Sequence, residues 1–139
     1  MFKSILSIPL FTLVAVAQNA AIAHPPQGTS VSPGSSLIVQ IERPNTLSGS
    51  EEVAVVVGIQ SCATRACISP ADFMGSILYN GQFSPQDYSP EIPPYQNFTV
   101  QVPSGFANGT ALIGVAHLTL IGAGLYPWLE VLNRTITIA

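Results

Sequence analysis

The chain has 139 residues, 47% of them hydrophobic and only 8% charged, with a formal net charge of -3. A disordered chain needs low hydrophobicity and high charge, and a nucleic-acid binder needs a basic footprint; four Lys plus Arg against seven Asp plus Glu speaks against both. The length suits one domain, expected to be a monomer.

At the N-terminus, Met1-Phe2-Lys3-Ser4 precedes a mostly apolar run over residues 5–17, which reads as a secretory signal peptide with Lys3 as its positive end. Ala21-Ile22-Ala23 gives the small-x-small pattern of a cleavage site. It places the cut before His24 and divides the chain into a leader of residues 1–23 and a domain of residues 24–139. Ala15-Val16-Ala17 is a second, weaker match to the same pattern. The apolar run is shorter than the roughly 20 residues a bilayer needs and is interrupted by Gln18 and Asn19, so no membrane span is expected in the mature protein. Cleavage removes the only lysine and leaves Arg43, Arg65 and Arg134 as the basic side chains.

Beyond the leader the apolar runs are short and separated by Pro, Gly, Ser and Asn, which predicts strands. A short strand is expected at residues 29–31. The next alternates Leu37, Val39 and Ile41 inward with Ile38, Gln40 and Glu42 outward, and stops near Pro44. Residues 51–60 form a strand apolar on both faces, in which Glu51 and Glu52, the one adjacent acidic pair, would point to opposite sides. Cys62 and Cys67 should pair in an oxidising compartment, where so short a loop contributes about 2 kcal/mol.

Residues 76–79 predict a strand ending at the turn signal Asn80-Gly81, and residues 82–94, with four prolines, an irregular loop. Residues 96–102 alternate again, with Phe98, Val100 and Val102 inward. After a turn, residues 110–121, the turn Gly122-Ala123-Gly124 and residues 128–138 form a long hairpin. About seven strands predict an all-β fold, a single immunoglobulin-like or fibronectin-like β-sandwich, with a jelly roll or small barrel as the competing architecture. Three sequons, Asn97-Phe98-Thr99, Asn108-Gly109-Thr110 and Asn133-Arg134-Thr135, mark glycosylation acceptors.

The chemistry-bearing residues are few. There is no Gly-x-Ser-x-Gly elbow, no His-Glu-x-x-His and no phosphate-cradling glycine loop, so no enzyme activity is expected. A cut before His24 would join the free α-amine and ring of His24 to His117 in a copper-binding histidine brace, as in lytic polysaccharide monooxygenases and their small non-catalytic relatives. The competing reading makes His117, which alternates with Val115 and Thr119, a structural histidine. The hairpin turn presents Leu125-Tyr126-Pro127-Trp128. Tyr126 and Trp128 are candidate partner contacts, because aromatics are over-represented among interface hot spots. Alternatively Trp128 caps the core.

A set of segments carries a resemblance over most of the mature chain. They are Glu52-Val53-Ala54-Val55-Val56-Val57-Gly58-Ile59, Gly75-Ser76-Ile77-Leu78-Tyr79-Asn80-Gly81, Tyr95-Gln96-Asn97-Phe98-Thr99-Val100-Gln101-Val102-Pro103, Gly109-Thr110-Ala111-Leu112, His117-Leu118-Thr119-Leu120-Ile121-Gly122-Ala123 and Asn133-Arg134-Thr135-Ile136-Thr137-Ile138. Together they resemble the necrosis-inducing secreted protein family of fungal effectors. The resemblance implies a secreted, extracellular, non-enzymatic virulence protein without a cofactor. It would suppress plant pattern-triggered immunity by binding host receptor-like kinases and induce cell death. Translocation into host cells would expose a chain without lysine, which offers no side-chain amine to ubiquitin.

Overall fold

The computed structural model describes residues 19–45 and 49–139. The basic end and apolar run of the leader, and the site Ala15-Val16-Ala17, lie outside the described residues. Eight strands follow in chain order: β1 (Ala21–His24), β2 (Ser30–Val31), β3 (Ser36–Glu42), β4 (Ser50–Ser61), β5 (Ser76–Gly81), β6 (Tyr95–Gln101), β7 (Gly109–Ile121) and β8 (Tyr126–Ile138). They make a three-stranded sheet, β1-β3-β6, and a five-stranded sheet, β2-β8-β7-β4-β5. The fold is the expected all-β sandwich, and no described residue is helical.

The inward registers follow the alternation in the sequence. Val39 and Ile41 of β3 and Phe98 and Val100 of β6 meet Val55, Val57 and Ile59 of β4, Ile113 and Val115 of β7, and Ile136 and Ile138 of β8 in one core. β-branched residues dominate it because they fit a pleated surface buried on one face.

Three elements depart from the sequence expectation. Residues assigned to the leader form β1, which pairs antiparallel with β3. The chain then changes sheets, and β2 pairs parallel with β8. Ala20 and Ile22 are 4% and 5% exposed and belong to the core. Asn80-Gly81 does not turn the chain; both residues stay in β5, opposite Val56 and Val55. The reason is topological: the chain leaves β5 for β6 in the other sheet, so no tight hairpin is made there. The β7–β8 turn spans Gly122 to Leu125, one residue longer than expected, with Leu125 at φ 50° and Gly122 at φ 73°.

The loop between β4 and β5 lies against the outer face of the larger sheet. Gln60 is buried and holds it: its side-chain amide donates to the carbonyls of Ile68 (2.7 Å) and Phe73 (3.0 Å), and its Oε1 accepts from the Ile68 amide (2.9 Å). Cys62 and Cys67 form the expected disulfide, with Cα atoms 5.0 Å apart. The loop approaches so closely that a Cβ at Gly58 would meet the Met74 carbonyl oxygen at 2.5 Å, and one at Gly114 would meet Pro70 Cβ at 2.7 Å.

Candidate functional site

At one end of the core, four ionisable side chains from four places in the chain meet. His117 on β7 and Glu130 on β8 are opposite each other in the hairpin register, and His117 Nδ1 lies 2.8 Å from Glu130 Oε1. The other ring nitrogen, Nε2, is bonded to Glu52 Oε2. Glu52 reaches the ring because the β4–β7 register shifts between Glu52 and Ala54. This bulge lets Glu52 and Val55 both face inward, while Val53 is thrown to the surface. Arg43, itself buried, donates from Nε to Glu52 Oε1 at 3.1 Å. Phe83 closes the cluster, its ring edge-on to His117 at 5.2 Å.

Ionised carboxylates only accept, so a ring bonded through both nitrogens to ionised carboxylates donates twice, as an imidazolium. Burial works against that charge. The hydrogen bonds to Glu130 and Glu52, with their charges, outweigh it and hold the His117 pKa above its ordinary 6.5. Burial likewise pushes Glu52 up, but the hydrogen bond and charge of His117, followed by Arg43, bring it below its ordinary 4.5. Outside the cluster a cleft of about 380 Å³ opens, lined by Arg43, Glu52, Pro44, Pro85, Asp87 and Pro94.

Past the cluster, the β7–β8 hairpin carries several exposed apolar side chains. Tyr126 is 52% and Trp128 38% exposed, their rings edge to face at 6.5 Å. They continue the inward-facing positions of β8 beyond Glu130, toward the turn. Leu129 and Val131 are exposed on the opposite face of the same strand, and Leu125 at the turn.

The remaining candidate residues fall elsewhere. Asn97 is exposed on the outer face of β6, Asn108 just before β7 and Asn133 on the outer face of β8, so all three sequons stand where a glycan has room. His24 is exposed at the end of β1, whereas His117 is fully buried with both nitrogens engaged. With both ring nitrogens of His117 bonded to carboxylates, neither is open to a metal in this arrangement. Among the described residues no group of three His, Cys, Asp or Glu side chains is placed to hold a metal ion. Glu51 is exposed and Glu52 faces inward, as their adjacency required. Sequence reasoning named Glu52 only as half of an acidic pair and did not bring Arg43, Glu52 and Glu130 together with His117. The hairpin register could have found Glu130, but the assumed three-residue turn displaces the pairing by one position.

No curated protein matches the chain. A family comparison matches residues 15–137, nearly the whole length, to the Nis1 family. The chain belongs to the Nis1 family, a fungal effector-like family.

Proposed function

We propose that the protein is a secreted effector that acts by binding: it engages receptor-like kinases of a plant host, suppresses pattern-triggered immunity and induces cell death. The observation that carries this reading is membership of an effector-like family over residues 15–137. The disulfide agrees with an extracellular route, since such bonds persist in oxidising compartments.

The surface supports recognition more than catalysis. His117 bridges the carboxylates of Glu52 and Glu130, so these groups engage one another, and of the two only Glu52 lines the cleft. The exposed pair Tyr126 and Trp128 offers rigid aromatic area at a hairpin tip. Asn108 precedes the start of β7, whereas the aromatic pair flanks its end, about 40 Å away along thirteen strand residues. A glycan at Asn108 would leave the tip open.

The test is an elicitor-triggered oxidative burst in leaf tissue that produces the chain. The burst is expected to fall relative to tissue producing a secreted control. An undiminished burst in tissue where the chain demonstrably accumulates would contradict the proposal.

A further inference from the structure

We propose that the leader ends at Ala17, so that the mature protein begins at Gln18 and keeps β1 as part of its folded domain. This differs from a cut after Ala21-Ile22-Ala23, and the difference rests on what residues 20–24 do in the fold.

β1 is integrated by backbone, core and charge. It pairs with β3 in the register Ala21↔Glu42 and Ile22↔Ile41, and Ile22 and Ala20 are buried in the core. The Ala20 amide donates to Glu130 Oε1 at 2.8 Å, the same oxygen that holds His117. The Ile22 carbonyl accepts from the Arg134 guanidinium. Glu130 Oε2 and Arg134 Nε are already buried without a partner among the described residues. Removing residues 20–23 would take one donor from Glu130 and one acceptor from Arg134. It would also uncover Ile41 and the β3 edge.

The alternative site satisfies the same peptidase. Ala15 and Ala17 are small residues at the third and first positions before the cut, and they follow directly on the apolar stretch of residues 5–14. The family match also begins at residue 15, upstream of β1. Hydrolysis breaks the Ala17–Gln18 peptide bond; water supplies the hydroxyl of the new Ala17 carboxyl group and the proton of the new Gln18 amine. That amine can then attack its own side-chain Cδ and expel ammonia, closing a pyroglutamate ring. Both forms report the same cut.

The experiment is intact-mass and N-terminal peptide analysis of the full chain secreted by a fungal host, after enzymatic deglycosylation and reduction. The expected N-terminus is Gln18, either free or lighter by one ammonia. A chain starting after Ala20, or one that retains residues 1–17, would overturn the proposal. As a second reading, the protein starting at His24 is expected to melt at lower temperature than the protein starting at Gln18; equal melting temperatures would also count against it.

Discussion

His117 is fully buried, and each ring nitrogen faces a carboxylate. His117→Ala should therefore cost about 3–5 kcal/mol, because it leaves the buried Glu130 and the half-buried Glu52 without the cation between them. Urea unfolding would measure the loss. The pH dependence follows from the two shifts. The raised pKa of His117 gives stability that is complete below 6.5 and is lost as pH rises through the folded value. The lowered pKa of Glu52 gives stability that is complete above 4.5 and is lost as pH falls through the folded value. The cluster's contribution is thus greatest between about 4.5 and 6.5, and His117→Ala should flatten that maximum. A variant as stable as the wild type, with the same pH profile, would contradict this account. The inward position of His117 was legible from its alternation with Val115 and Thr119. Its partners were not, because Glu52 is brought inward by a bulge that a strand apolar on both faces does not announce.

At the scale of elements, period-two alternation marks β3 and β6 clearly because each has one buried and one solvated face. The elements that escaped did so for stated reasons. β1 is spelled in small and apolar residues that equally suit the end of a leader, and it is its pairing with β3 and its burial in the core that separate the two readings. The hairpin turn contains Leu125 in a left-handed conformation that sequence rarely assigns to leucine. The resulting one-residue slip is enough to exchange inward and outward faces. The loop over the larger sheet depends on two glycines that look unremarkable in sequence. Gly58→Ala would drive its Cβ into the Met74 backbone. The expected loss is about 1–3 kcal/mol, the usual cost of overpacking, read from thermal or urea unfolding. An unchanged midpoint would mean that the loop is not held against the sheet.

The whole molecule separates its tasks by position. The core and the ion cluster lie between the sheets, the disulfide loop covers one outer face, and the sequon at Asn108 lies at the opposite end of β7 from the aromatic hairpin tip. The sandwich and its core were legible because they follow from alternation and turn chemistry. The proposed binding role rests on the family resemblance, since surface aromatics do not name a partner. Kinase binding is read directly from a titration of the purified mature protein against the cytoplasmic domain of a plant receptor-like kinase, with Trp128→Ala in parallel. Saturable binding by the wild type and its loss in Trp128→Ala are expected, with cooperative melting retained in the variant. No binding by the wild type, or equal affinity in the variant, would contradict the proposal.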